Sequence, residues 1–190
     1  MKYAANISND EVAALEAVHF DGRIEVVETA DALAEACKEL SKHSLIGFDT
    51  ETRPSFTAGV TNKVSLLQLS TEEVCYLIRL NKLTLSRELI AILSSKEIRK
   101  IGADVHNDII ALNRLKSFSA NGFIDLQSEV GKYGIEDKSL RKISGIVLGK
   151  RVSKAQRLSN WAAKQLTPQQ QMYAATDAWV CIEIYNKLTK

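Results

Sequence analysis

The sequence predicts one domain of the α/β or α+β class, in which helices cover the faces of a β-sheet. The chain has 190 residues, of which 45% are hydrophobic and 25% are charged, as in ordinary soluble domains of this size. Short apolar runs typical of strands come first and alternate with helical segments, and helical segments dominate the rest of the chain. This order of elements is typical of a sheet with helices packed on its faces.

Six short segments have the pattern of β-strands. The segment 45–51 is apolar up to Asp49, which indicates a mostly buried strand. Only three polar residues separate the next two segments, so these three strands are expected to form a meander with tight turns. The predicted strands span residues 23–28, 45–51, 63–69, 73–79, 98–101 and 123–124.

Six further segments have helical periodicity. Thr29 is a candidate N-cap for the first of them, and Thr167 followed by Pro168 marks the start of the last. Residues 1–21 are interpreted as an N-terminal extension with a short helix capped by Ser8 or Asn9, so the main domain is expected to span 22–190. The predicted helices span residues 30–42, 85–93, 104–115, 126–133, 139–148 and 168–188.

Charge and cysteine content narrow the possible environments. The net charge of +2 says little about partners, but one segment, residues 138–157, carries seven cations and no acid. This basic segment is either a solvated helix face or a surface that contacts phosphates. Three isolated cysteines indicate free thiols in a reducing compartment, and no apolar run has the length of a signal peptide or a membrane span, so a cytoplasmic protein is expected. The cations of the basic segment are Lys138, Arg141, Lys142, Lys150, Arg151, Lys154 and Arg157.

Four acidic residues lie where an acid is costly unless it binds a cation. Asp49 and Glu51 end an apolar strand and, being two residues apart, project from the same face. Asp108 and Asp177 each interrupt the apolar stripe of a predicted helix. A buried polar group without a partner costs roughly 2–7 kcal/mol, and a divalent cation removes that cost. Together the acids predict an oxygen-lined metal site, whereas the Asp-x-Glu pair alone is a weak signal that a helix cap or a turn acid explains more simply.

Other polar and aromatic residues near these acids have simpler interpretations. Asp104 is expected to stabilise the start of its helix, and Asp125 is expected to be an N-cap. Tyr173 precedes Asp177 by four residues, so a plain hydrogen bond between the two side chains is the alternative to a catalytic role. Phe56 is expected either to pack or to stack on a base.

The three acidic segments, in this order, resemble the DEDDy 3′–5′ exonucleases, whose members include the ribonuclease D catalytic domain and the Werner-syndrome exonuclease domain. The resemblance rests on Asp49-Thr50-Glu51, on Asp108 in a mid-chain helix and on Tyr173-Ala174-Ala175-Thr176-Asp177-Ala178. It extends from about residue 22 to residue 190 and includes Leu158-Ser159-Asn160-Trp161 and the strand Val64–Leu69. It implies a ribonuclease-H-like α/β fold, with a central mixed sheet and helices on both faces.

The resemblance also implies a reaction and a set of residue roles. The expected activity is release of nucleoside 5′-monophosphates from the 3′ end of DNA or RNA, with two Mg²⁺ or Mn²⁺ ions in the site. Asp49 would bridge the ions, Glu51 and Asp177 would hold the ion on the nucleophile side, and Asp108 would hold the second ion through water. Tyr173 would orient or deprotonate the attacking water. The expected substrate contacts are Thr50, Phe56, Lys154 and Arg157.

Two other functions fit the same residues. One is a nucleic-acid-binding module with a vestigial site, and the other is a structural domain whose acids bind a stabilising cation. The expected partner is a single-stranded or 3′-ended nucleic acid rather than a membrane, and protein partners remain open. Release of mononucleotides that depends on a divalent metal distinguishes the enzyme from both alternatives.

Overall fold

The computed structural model describes residues 2–57, 59 and 61–190, which form a mixed six-stranded sheet with helices. The strands are β1 (Arg23–Val27), β2 (Leu45–Thr52), β3 (Val64–Ser70), β4 (Val74–Arg79), β5 (Arg99–Gly102) and β6 (Phe123–Asp125). The helices are α1 (Asn9–Ala14), α2 (Ala30–Leu40), α3 (Arg87–Ser94), α4 (Val105–Asn113), α5 (Leu126–Glu129), α6 (Leu140–Leu148) and α7 (Pro168–Thr189), and a 3₁₀ turn (Val130–Tyr133) follows α5.

The sheet has the strand order β1-β4-β3-β2-β5-β6, and the predicted mixed α/β fold is confirmed. β3 pairs antiparallel with both β2 and β4, whereas β1–β4, β2–β5 and β5–β6 are parallel pairs. The predicted meander is present, but only the β3–β4 connection is a tight turn. β2 and β3 are joined by residues 53–63, and the base of this loop is closed by the Asn62 side-chain amide, which donates to the carbonyls of Arg53 and Pro54.

Helices cover both faces of the sheet because the apolar residues of its central strands point alternately to one face and to the other. Leu67 and Leu69 of β3 pack with α2, α3 and α4, whereas Leu66 packs with α7 on the opposite face. β2 follows the same rule, with Ile46 and Phe48 on the first face. Gly47, Asp49 and Glu51 therefore lie on the face covered by α7.

Gly47 allows α7 to lie very close to β2. A Cβ atom at this position would be 2.0 Å from the carbonyl oxygen of Ala178 in α7, so no larger residue fits without moving the helix. α7 itself presents small residues here, since Ala174 and Ala178 are fully buried. The close approach places the helix that carries Asp177 directly over the strand that carries Asp49.

The N-terminal segment packs on the domain. Of the two predicted caps, Ser8 caps α1, and it does so through a complete capping box with Glu11. The Ile7 amide donates to Asp137 at 2.9 Å, and the Phe20 amide donates to the hydroxyl of Thr176 in α7 at 3.1 Å. Glu16 forms a salt bridge with Lys150. Residues 2–21 are thus attached to α7 and to the segments on either side of α6, and the domain boundary at residue 22 stays a prediction.

The helix starts near β6 differ in part from expectation. Asp104 lies at the start of α4, as expected, but its φ is 64° and its carboxylate accepts from the Asn107 side chain instead of from an amide of the first turn. Asp125 is the predicted N-cap of α5, and its carboxylate also accepts the backbone N–H groups of Asp104 and Val105. One side chain therefore satisfies the first amides of two helices.

The remaining core features agree with the sequence. The thiols of Cys37, Cys75 and Cys181 are free and buried, and Trp161 is fully buried. Among the described residues, no helix combines the length and the apolar character that crossing a membrane requires.

Candidate active site and metal centre

Three carboxylates meet between the end of β2 and the middle of α7. Asp49 and Glu51 project together from β2 because strand side chains alternate, and Asp177 projects from α7 above them. Each of the three offers an oxygen atom that lies within 4.8 Å of the other two. Asp49 and Glu51 are half-buried, and Asp177 is buried.

Asp108 reaches the site from the other face of the sheet. It lies on α4, and its carboxylate accepts a hydrogen bond of 2.6 Å from the hydroxyl of Thr50. Thr50 lies between Asp49 and Glu51 but points to the opposite face, where α4 packs. Asp108 thus stays outside the group of three acids while its negative charge still acts on Asp49 and Glu51.

The acids have no cationic partners among the described residues, and their pKa values are raised in the absence of metal. In the described part of the chain, none of the four forms a salt bridge with lysine, arginine or histidine. Burial, followed by the charges of Asp177 and Asp108, raises the pKa of Glu51 to about 9. Burial raises the pKa of Asp177 and of Asp108 to about 7. Burial and the three neighbouring acids raise the pKa of Asp49 well above its usual range.

Tyr173 lies beside Asp177, one helical turn earlier on α7. Its ring packs against the buried Trp161 ring, with centroids 5.9 Å apart and planes tilted by 37°. Burial, followed by the negative charges of Asp177 and Glu51, raises the pKa of the phenol further above its usual value near 10. The hydroxyl therefore stays protonated at neutral pH and is suited to orient a water molecule.

A cavity of about 380 Å³ opens beside Tyr173 and Asp177. The N-terminal segment forms one wall of it through Val18 and His19, and the loop after α6 forms another. Met172 and Pro168 of α7 contribute to a lining that is largely apolar. The space available next to the acids is large enough for part of a nucleotide.

The donor set fits a hard divalent cation. Carboxylate oxygens are the preferred ligands of Mg²⁺ and Mn²⁺, and the cluster contains neither sulfur nor imidazole ligands. Burial raises the pKa values of all four acids, neighbouring negative charges add to this for Asp49 and Glu51, and a bound cation opposes both effects. Asp49, Glu51 and Asp177 are therefore the residues able to hold a metal together, with Asp108 beside them.

The four expected substrate contacts have different environments in the structure. The hydroxyl of Thr50 is engaged with Asp108, so this residue positions an acid. Phe56 is 88% exposed in the loop after β2, which excludes the packing alternative. Lys154 and Arg157 are exposed on the loop between α6 and α7.

The basic segment does not act as one surface. Lys142 pairs with Asp137 at 2.8 Å, and Lys150 pairs with Glu16. Arg151 donates through Nε to the carbonyl of Leu15 at 2.9 Å. These three cations hold the N-terminal segment and its neighbours in place through contacts within the protein.

Two residues at the site received no role from the sequence. Gly47 makes the close approach of α7 possible, and Gln68 is a fully buried amide on β3 directly opposite Asp49. In the sequence, Gln68 could have been noticed as a glutamine within the mostly apolar segment Val64–Leu69. The close contact at Gly47 depends on a helix more than 120 residues later and left no local trace.

Comparison with known proteins identifies the family. A family model described as 3′–5′ exonuclease matches residues 24–190. The chain belongs to the 3′–5′ exonuclease family. The mouse bifunctional 3′–5′ exonuclease/ATP-dependent helicase WRN is 32% identical over 156 residues, which are 78% of this chain and 11% of the mouse protein. The mut-7 exonuclease homolog of Aedes aegypti is 27% identical over 90% of this chain and 27% of its own length.

Solved structures show the same fold. The EXO domain of Aedes aegypti Nibbler superimposes with a TM-score of 0.80 and 26% identity over 90% of both chains. Escherichia coli RNase D superimposes with a TM-score of 0.79 and 26% identity, covering 88% of this chain and 44% of RNase D. The ribonuclease-H-like fold and the family resemblance are confirmed. This chain spans 11% of the length of the mouse WRN protein and 27% of the length of the Aedes aegypti mut-7 homolog.

We expect the metal-free protein to lose stability as the pH rises from about 5 to 9. The unfolded acids titrate near 4, whereas the folded pKa values are about 7 for Asp108 and Asp177 and about 9 for Glu51. A raised folded pKa stabilises the fold below the unfolded pKa, and this contribution is lost as the pH rises through the folded value. Urea unfolding with a chelator present measures the effect.

Glu51→Gln isolates the contribution of the cluster, because the other titrating groups are common to both proteins. The free-energy difference between variant and parent should move in favour of the variant as the pH rises. Added Mg²⁺ should restore the parent more than the variant. A difference independent of pH would show that the pKa of Glu51 is not raised in the folded protein.

Proposed function

We propose that this protein is a metal-dependent 3′–5′ exonuclease that releases nucleoside 5′-monophosphates from the 3′ end of a DNA or RNA strand. The observation that carries the proposal is the group of three carboxylates, which have no cationic partner in the part of the chain that the structure describes and are flanked by the protonated phenol of Tyr173. Membership of the 3′–5′ exonuclease family supports it.

Each side chain has a defined task in this reaction. Asp49, Glu51 and Asp177 would hold one Mg²⁺ or Mn²⁺ ion, and Asp49 with Asp108 would hold a second. Two such ions supply positive charge at the attacking and leaving oxygens of an in-line displacement. Tyr173 orients the attacking water through its hydroxyl, and the raised pKa of the phenol supports orientation over proton abstraction.

Asp108 depends on Thr50 for its place in the site. The hydrogen bond of 2.6 Å fixes the carboxylate across the strand end, so we propose that Thr50 acts on the reaction through Asp108. The substrate strand would pass Lys154 and Arg157, and the exposed ring of Phe56 would stack on a base near the 3′ end. The cavity beside Tyr173 and Asp177 leaves room for part of a nucleotide.

The relatives leave both nucleic acids open as substrates. The solved Escherichia coli RNase D is described as an exoribonuclease involved in structured RNA processing, and the mouse relative combines its exonuclease with a helicase. We therefore propose a single-stranded 3′ end as the common substrate feature, with DNA and RNA to be compared side by side.

Asp49→Asn should abolish release of mononucleotides while the protein stays folded. The amide cannot supply the negative charge that holds the ions, although its size is the same. Gel analysis of 5′-labelled DNA, RNA and dinucleotides with Mg²⁺ or Mn²⁺ measures turnover, and Asp104→Asn, an exposed acid outside the cluster, is the matched control. Binding of strands by the parent without any metal-dependent cleavage would favour the vestigial module instead.

Tyr173→Phe should lower the rate at saturating metal by roughly 10²–10⁴-fold, the range for a positioned proton-transfer group. The ring stays in place against Trp161, so the fold and the metal affinity should change little. Rates and Mn²⁺ affinity are measured on the same preparation. A weaker Mn²⁺ affinity with an unchanged rate at saturating metal would assign Tyr173 to metal binding.

Replacing both Lys154 and Arg157 by alanine should flatten the salt dependence of single-strand binding. Log affinity falls with log salt by about 0.7 per neutralised phosphate, so two lost contacts should reduce the slope by about 1.4. Binding is measured with Ca²⁺ in place of Mg²⁺ to suppress turnover. Replacing the exposed Lys96 and Arg87 removes the same charge around α3 on the opposite face and should leave the slope unchanged. Equal slopes for all three proteins would show that Lys154 and Arg157 are solvated surface residues that contact no phosphate.

A further inference from the structure

Gln68 is a buried polar side chain that has no partner among the described residues. It lies in the middle of β3 and is 0% exposed. Within the described part of the chain, neither its carbonyl oxygen nor its amide nitrogen has a hydrogen-bond partner. A buried amide without hydrogen bonds destabilises a fold, so an apolar residue would be the better choice if packing were the only task at this position.

The position of Gln68 relates it to the acids. β2 and β3 are antiparallel, and the Cα atoms of Asp49 and Gln68 are direct partners in the ladder. Residues directly opposite in such a pair point to the same face, with Cβ atoms about 4.5–5.5 Å apart. The side chains next to Gln68 on this face include Leu66 on its own strand and Leu77 opposite it on β4, which offer no hydrogen bond. Asp49 is the polar neighbour across the ladder.

We propose that Gln68 is a positioning residue for Asp49, and the proposal rests on the proposed function of the site. When divalent cations hold Asp49 in its ionised form, the Gln68 amide N–H donates to the Asp49 carboxylate. The hydrogen bond fixes the carboxylate so that its oxygens face the cations. Gln68 itself touches neither metal nor substrate.

The physical reason lies in the demand placed on Asp49. This carboxylate is the one expected to serve both ions, so a small rotation disturbs both at once. Groups that hydrogen-bond to metal-ligating side chains typically change metal affinity by 10–100-fold when they are removed. Asp108 already has such a group in Thr50. Gln68 would serve Asp49 in the same way from the neighbouring strand.

Gln68→Met tests the proposal, because methionine has a similar length and volume and no hydrogen-bonding amide. Mn²⁺ affinity is measured by calorimetry on metal-stripped protein, and stability is measured by urea unfolding in chelator. We expect the metal-free variant to be at least as stable as the parent, because an unpaired amide has been removed. We expect its Mn²⁺ affinity to be 10–100-fold weaker.

Ser70→Ala is the matched control. Ser70 is buried on the same face of β3, two residues away, and its hydroxyl donates to the Thr71 carbonyl and not to an acid. This variant should lose some stability and keep the Mn²⁺ affinity of the parent. Gln68→Leu is a second apolar replacement and should show the same weakened affinity, which guards against a packing fault specific to methionine.

The outcomes separate this proposal from the proposed function. Unchanged Mn²⁺ affinity in both apolar variants, with the parent binding Mn²⁺ and degrading strands, would overturn the role of Gln68 and leave the exonuclease proposal intact. A parent protein that binds no Mn²⁺ would instead overturn the metal site itself. Weaker affinity in Ser70→Ala to the same degree would show a general effect of β3 and would also overturn the role of Gln68.

Discussion

The repulsion between carboxylates held together by the packing of α7 on β2 is the constraint on which the site depends. Two unit charges 4.8 Å apart repel by about 3–4 kcal/mol at an effective dielectric constant of about 20. Three such pairs approach about 10 kcal/mol, which is comparable to the whole stability of a typical domain, about 5–15 kcal/mol. The folded cluster must therefore bind either protons or cations. The raised pKa values of Glu51 and Asp177 mean that the metal-free cluster binds protons. The proposed activity requires that it binds cations instead.

The sheet delivers the acids to one point by using both of its faces. The alternation of side chains sends Asp49 and Glu51 towards α7 and sends Thr50, between them, towards α4. Thr50 then holds Asp108, so the fourth acid arrives from the opposite layer at the same strand end. The arrangement joins the two helical layers through a single tripeptide. This explains why a change at Thr50 should affect the site although its own side chain faces away from the other three acids.

Some cations of the basic segment stabilise the fold, and others are proposed to bind substrate. Lys150 and Arg151 attach the N-terminal segment, and that segment in turn forms a wall of the cavity beside Tyr173. The same stretch of sequence therefore builds part of the site and leaves Lys154 and Arg157 exposed at its far end. The number of charges in the sequence cannot distinguish these two roles. A lysine that pairs with Glu16 and a lysine proposed to bind phosphate have the same one-letter code.

The sequence by itself determined the elements and most of the acids, because these follow from local rules. Capping residues such as Ser8 and Thr167 mark helix starts, a spacing of two places Asp49 and Glu51 on one face, and a spacing of four stacks Tyr173 on Asp177. Only the tertiary structure decided which elements meet. The role of Thr50, the double capping by Asp125 and the place of Gln68 opposite Asp49 each depend on pairing between distant segments. Strand register and the close contact at Gly47 are long-range facts that no local pattern records.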